Sequence, residues 1–292
     1  MNTKFSWDFN YLKNETLEWV NNPQNKKLFY DRSIEKINGF LSGDNLNPGI
    51  MANNLNNLSI WYLNSSIIKV IENERDGFDE LYLSTIYNYW YLRIMAKFFN
   101  HETKRPKLIF NDVGLTLSRL IALGLFDEAE IIGGIVVKEL DSDWLMGQDD
   151  TRLTPFILNL LYKWQNKSLP LDQCEKFCFL ESYQSLLDNW QTEDLSLLED
   201  LLIDVCEFHL SRSKYDTDDE YYEFSNEIFM IYPVEILSVL RLRDSLKLKN
   251  PNINHRLINN PLGRLNEIQK VESNELIKDI LSSKVIKDLG VQ

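Results

Sequence analysis

Eight prolines, Pro23, Pro48, Pro106, Pro155, Pro170, Pro233, Pro251 and Pro261, cut the chain into long segments whose apolar residues recur every three or four positions. Leu83, Ile86, Tyr87, Trp90 and Ile94 step by the helical repeat and lay one stripe along a helix. Leu198, Leu201, Leu202 and Val205 repeat the pattern further on. No run alternates with period two, and no Asn-Gly or Asp-Gly pair joins two apolar strands, because Asp76-Gly77 lies between helical patterns. Start signals agree with this reading. Pro155 follows Thr154 and Pro233 follows Tyr232, each just ahead of a helical pattern, where a fixed φ and a missing N–H cost nothing. Asp172 and Thr192 stand where N-caps belong.

The fold expected is all-α, a compact bundle of about twelve helices with an irregular C-terminal arm. The helical segments are 6–21, 26–41, 47–73, 78–100, 107–123, 126–141, 153–166, 171–190, 194–213, 218–230, 233–247 and 272–288. The arm is 248–266, where two prolines and Gly263 interrupt any periodicity. A polar, basic stretch before Pro106 suggests an N-terminal helical subdomain at 1–103 and a C-terminal one at 104–292, packed as one unit. Gly133-Gly134, inside an apolar pattern, reads as a close approach of two helices. No 34-residue repeat is present, which argues against a solenoid.

Charge narrows the function. Against 31 Lys and Arg stand 44 Asp and Glu, a net charge of −13. A nucleic-acid binder needs a basic surface, and so does docking on anionic lipid, so neither partner is expected. No apolar stretch approaches the roughly 20 residues of a membrane helix, and the first residues carry Asp8 and no apolar signal core. Three cysteines, an odd number, suit a reducing compartment. The expectation is a cytoplasmic protein.

Motifs for chemistry are sparse. There is no phosphate-binding loop, no Gly-x-Ser-x-Gly elbow and no His-Glu-x-x-His, and only His101, His209 and His255 are available to a histidine-dependent site. Cys174, Cys178, Cys206 and His209 have zinc-like spacing, yet their apolar neighbours Phe177, Phe179 and Leu180 mark them as core thiols. Asp141, Asp143, Asp149 and Asp150 lack the alternating pattern of a calcium loop and read as a solvated interhelical turn. No catalytic residue, metal or cofactor is expected. A metal-dependent hydrolase using the 141–150 carboxylates, and a helical scaffold or adaptor, are the alternatives.

The distribution of acid is the anomaly. Residues 193–227 hold twelve carboxylates against Arg212 and Lys214, which accounts for −10 of the −13. Like charge at this density destabilises a compact chain by self-repulsion, and a basic partner would relieve it. The densest part, Asp216, Asp218, Asp219, Glu220, Tyr221, Tyr222 and Glu223, combines charge with aromatic side chains and is the expected centre of a partner-binding face. Arg241 and Arg243, on an apolar helix, are expected to pair with Asp204 or Glu235.

Four stretches carry a family resemblance: Gln148-Asp-Asp-Thr-Arg-Leu-Thr-Pro-Phe-Ile-Leu, Leu186-Leu-Asp-Asn-Trp-Gln-Thr-Glu-Asp, Leu202-Ile-Asp-Val-Cys-Glu-Phe-His, and Tyr232-Pro-Val-Glu-Ile-Leu-Ser-Val-Leu-Arg-Leu-Arg with Asn260-Pro-Leu-Gly-Arg-Leu. Over its C-terminal half the chain resembles helical immunity proteins of bacterial secreted antibacterial toxins, of type VI or other polymorphic systems. The resemblance implies a non-enzymatic protein that binds and neutralises a cognate toxin domain. An acidic face suits a basic, nuclease-type effector.

Overall fold

The computed structural model describes residues 7–44, 46–98, 107–148, 151–169, 181–265 and 274–290. The described chain is all-α. Thirteen α-helices of five residues or more are present among these residues: α1 (Phe9–Asn21), α2 (Arg32–Ser42), α3 (Pro48–Ile71), α4 (Gly77–Phe98), α5 (Phe110–Ala122), α6 (Phe126–Glu139), α7 (Leu153–Trp164), α8 (Glu181–Asn189), α9 (Leu195–Ser211), α10 (Glu227–Ile231), α11 (Val234–Ser245), α12 (Glu275–Ser282) and α13 (Lys284–Asp288). The extended structure is one parallel pairing of two-residue strands, β1 (Leu108–Ile109) with β2 (Leu145–Met146). Two compact units result. One comprises residues 1–13 and 107–266, the other 14–106 and 267–292.

In the second unit, α3 and α4 form a long antiparallel hairpin. Asn47 caps α3 by accepting from the Gly49 and Ile50 N–H groups, with Pro48 in the first turn. The helix closes with Asn73 at φ +59° and a bond from Glu74 N–H to the Lys69 carbonyl. Gly77 then starts α4 so close to the end of α3 that a Cβ there would lie 2.7 Å from Val70 N. The buried side of α4 runs through Leu81, Ser84, Thr85, Asn88, Leu92 and Met95, while Leu83, Ile86 and Trp90 are half-buried on its flank. Of the expected stripe, Tyr87 and Ile94 are buried, so the stripe meets the buried side in part. Small polar side chains hold the seam because each finds a partner: Ser84 Oγ donates to the Ser59 carbonyl at 2.8 Å and Asn88 to Asn56 Oδ1 at 2.9 Å. From the end of the chain, Asn274 caps α12 and donates to the Tyr87 hydroxyl of α4.

The first unit is built around α5, in which every residue but Asp112 is buried. Helix α11, buried from Val234 to Arg243, packs along it, and Ser238 Oγ donates to the Ser118 carbonyl at 2.9 Å. Helix α7 crosses so closely that a Cβ on Gly114 would lie 2.1 Å from Thr154 Oγ1. Thr154 uses that approach to donate to the Phe110 carbonyl. Gly133 of α6 faces Leu161 of α7 in the same manner, whereas Gly134 points into open space. Residues 248–260 are irregular, and Asn260 caps a short 3₁₀ turn, Pro261–Gly263.

The two arginines of α11 find carbonyls instead of the expected carboxylates. Arg241 Nε donates to the Ala122 carbonyl at 2.9 Å. Arg243 donates to the Trp190 and Lys249 carbonyls and to Asn250 Oδ1. Asp204 is exposed on α9, and Glu235 is taken by His209.

Candidate partner-binding surface

Helix α9 begins at Asp194, whose Oδ1 accepts from the Ser196 and Leu197 N–H groups, both at 3.1 Å, while Thr192 supports the cap from outside the helix. Leu198, Leu202, Val205, Cys206 and His209 turn inward. The opposite side carries Glu193, Leu197, Asp200, Asp204, Glu207 and Ser211, spaced by three or four and all exposed. Asp200, Asp204 and Glu207 thus form an acidic stripe along the middle of the helix, with the exposed Leu197 at its start. Of the twelve carboxylates in 193–227, nine are exposed, and Asp200, Asp204, Asp218 and Asp219 have no ion-pair partner among the described residues. Glu207 is engaged from the irregular arm. His255 Nδ1 accepts from Leu257 N–H, which leaves the proton on Nε2 to donate to Glu207 at 3.0 Å.

The expected helix over 218–230 is instead an irregular loop through Asn226 followed by α10. Arg212, just past the end of α9, organises the loop. Its Nε donates to Glu223 Oε2 at 2.6 Å, one terminal nitrogen donates to Glu220 Oε1 at 3.0 Å and the other to the Tyr221 carbonyl. The guanidinium also lies 4.6 Å from the centre of the Tyr222 ring. Burial opposes the Arg212 charge, but the hydrogen bonds and charges of Glu223 and Glu220 outweigh it and hold the group above its ordinary pKa. The loop closes on itself where Asp216 Oδ1 accepts from Tyr222 N–H, and where Thr217 N–H donates to the Glu220 carbonyl. The Tyr222 hydroxyl, assisted by Arg212, keeps the exposed Glu220 carboxyl below its ordinary value.

This arrangement divides the seven expected contact residues. Asp216, Asp218, Asp219 and Glu220 are exposed and Tyr221 is half-buried. Tyr222 and Glu223 are buried, at 8% and 2% exposure, and correct the expectation that the whole run is accessible. The reason is the hydrogen bonding of Glu223. Its carboxylate accepts from Arg212 and from Arg152 N–H, and its carbonyl accepts from Asn111, whose own Oδ1 accepts from Thr151. An acid so placed fastens the loop to α5 and to the start of α7.

Behind α9 lies a buried pair that sequence reasoning missed. His209 Nδ1 and Glu235 Oε1 are 2.7 Å apart with both side chains fully buried, and the imidazole stacks on Phe224 at 3.7 Å. The available signal was an acid, Glu235, inside the largely apolar run from Val234 to Leu240. Cys206 is a buried thiol that burial first, and then Glu235, push far up from its ordinary value, which suits an inert core residue. Cys174, Cys178, His101, Asp149 and Asp150 lie outside the described residues. Among the described residues no three His, Cys, Asp or Glu side chains converge as metal ligands, and no helix is long and apolar enough to cross a membrane. Asp143 is exposed, 3.9 Å from Lys107.

No family model, no curated protein and no solved structure matches the chain.

Proposed function

We propose that this chain is a cytoplasmic immunity protein, which binds a cognate antibacterial toxin domain of basic, nuclease type through the acidic face of α9 and the loop that follows it. The observation that carries this reading is the contrast within 193–227. Glu223, Glu220 and Glu207 are tied to cations or to histidine, while Asp200, Asp204, Asp218 and Asp219 stand exposed without an ion pair among the described residues. Uncompensated like charge on one helix and its adjoining loop steers a cationic partner and speeds its association. The Arg212 bonds hold the loop in one shape before the partner arrives, which limits the ordering cost of binding. The resemblance of the C-terminal half to immunity proteins supplies the class of partner.

The test uses the full chain and the C-terminal domain of a toxin gene sought next to its own. Asp218→Lys with Asp219→Lys leaves Arg212 and its partners in place. The double variant should associate at least tenfold more slowly at low salt, with a flatter salt dependence, and should protect cells less. Equal association and protection by the variant, with wild-type Tm, refutes the assignment of the face. Absence of binding by wild type to that domain refutes the immunity reading.

A further inference from the structure

The end of α11 reverses the charge of the chain. Residues 241–249 hold four cations, Arg241, Arg243, Lys247 and Lys249, against Asp244, in a protein of net charge −13. The helix closes on Lys247 at φ +59°, with Lys247 N–H on the Asp244 carbonyl at 2.9 Å and Leu248 N–H on the Arg243 carbonyl at 3.0 Å. Glycine is the usual residue at that position. Arg243, Lys247, Leu248 and Lys249 line a cavity of about 420 Å³, together with Glu193 and Leu195 from the start of α9.

A cation at a helix C-terminus complements the dipole, and that accounts for any one of these charges. It does not account for Arg243, which is fully buried and forms no ion pair among the described residues. Its bonds go to the Trp190 and Lys249 carbonyls and to Asn250 Oδ1. A guanidinium carries five N–H groups, so one on each terminal nitrogen is left without an acceptor among the described residues. Burial, opposed by the charge of Asp244, pulls the group below its ordinary pKa. An anion that supplies acceptors would stabilise a cation held in this state. Lys247 and Lys249 are exposed and likewise have no ion pair among the described residues. The Asp194 cap takes the N–H groups of Ser196 and Leu197 and not that of Leu195, so the positive end of α9 adds to the three cations. Glu193 is the only acid among the lining residues and leaves the cations in excess.

We propose that this cavity binds a small dianion of the phosphate-monoester kind, held by Lys247 and Lys249 over the buried charge of Arg243. Leu195 and Leu248 offer apolar wall to the organic part of such a ligand, and Glu193 can accept from a hydroxyl on it.

Calorimetric titration of the full chain with inorganic phosphate, at fixed ionic strength in sodium chloride, tests the site. Wild type should bind one phosphate per chain saturably. Phosphate at ten times its dissociation constant should raise Tm by roughly 3–5 °C over chloride alone. Lys247→Gly with Lys249→Ala removes both exposed cations and keeps the turn, because glycine takes the positive φ freely. This variant should fold, bind phosphate at least tenfold more weakly and lose the phosphate-dependent rise in Tm. Absence of saturable binding by wild type overturns the proposal. So does equal phosphate affinity in the folded variant, which would place the anion elsewhere on the protein.

Discussion

Arg212→Ala tests most directly whether the loop after α9 is a built structure. The side chain is about a fifth exposed, at 22%, and its partner Glu223 is sealed at 2%. Removing the guanidinium leaves the Glu223 carboxylate below the surface with only the Arg152 N–H at 3.2 Å. Breaking a buried pair from one side costs about 3–5 kcal/mol, and partial solvent access to Arg212 places this case at about 3 kcal/mol. Glu223→Gln keeps the shape and the Arg152 bond and leaves Arg212 with Glu220, the Tyr221 carbonyl and the Tyr222 ring, so its cost is about 1 kcal/mol. Combined, the two changes remove the stranded charge, and the double variant should cost about 2 kcal/mol, less than Arg212→Ala alone. Glu220→Gln, at the solvent-exposed end of the same guanidinium, should cost the least of the four. Urea unfolding at neutral pH measures all four, with amide exchange at Glu220 and Tyr222 as a local readout. Additivity of Arg212→Ala and Glu223→Gln within about 0.5 kcal/mol would refute the argument, because independent sites add and a shared buried pair does not.

Two further outcomes follow from glycines and from titration. Gly114→Ala forces a methyl into Thr154 Oγ1 and should destabilise by about 2–3 kcal/mol, whereas Gly134→Ala, in open space on α6, should stabilise by about 0.5–1 kcal/mol; thermal melts of both variants check the pair. The carboxyls of Asp76, Asp188 and Glu220 are held below their ordinary values, by Lys69, by Gln184 and Lys163, and by the Tyr222 hydroxyl and Arg212. Their folded pKa values lie below the unfolded ones, so their stabilisation is complete above about pH 5 and is lost as pH falls through the folded values. Melting temperatures between about pH 5 and pH 2.5 should fall, and less steeply in Glu220→Gln.

The helical class was legible because long amphipathic segments between prolines admit few other folds. The seam between α3 and α4 was not, since Ser59, Ser84 and Asn88 look like surface residues until a facing helix supplies their partners. Apolar periodicity found the buried Tyr87 and Ile94 of α4 but counted with them Leu83, Ile86 and Trp90, which lie half-buried on its flank. The acidic segment shows the same limit. Composition locates the charge, and the 3.6-residue repeat places Asp200 and Asp204 outward from α9. No local rule reveals that Glu223 turns inward, because the residues that receive it, Arg152 and Asn111, come from 71 and 112 positions away. Likewise a run of acids ending in two tyrosines reads as a helix start, while a guanidinium at its base folds it into a loop.

Whether the acids of α9 are a solvated face or a docking face is decided by separating stability from binding. Asp200 and Asp204 are four residues apart on one side of the helix, and Glu207 stands three residues further on. Like charges at these spacings destabilise a helix by about 0.2–0.5 kcal/mol per pair at low salt. Asp204→Lys removes two repulsive neighbours and creates two attractive ones, so the free protein should gain about 0.8–2 kcal/mol. Added salt should raise the melting temperature of wild type more than that of the variant, since the repulsion being screened is gone. On a merely solvated face nothing else changes. On a docking face the same substitution sets a cation against a cationic partner, and binding should weaken by tenfold or more while the protein itself melts higher. A variant that is more stable and binds the basic domain as tightly as wild type would remove α9 from the interface and leave only the loop at Asp218 and Asp219. A variant that is less stable would show that the carboxylate of Asp204 is not under repulsion, and the charge argument for this helix would fail.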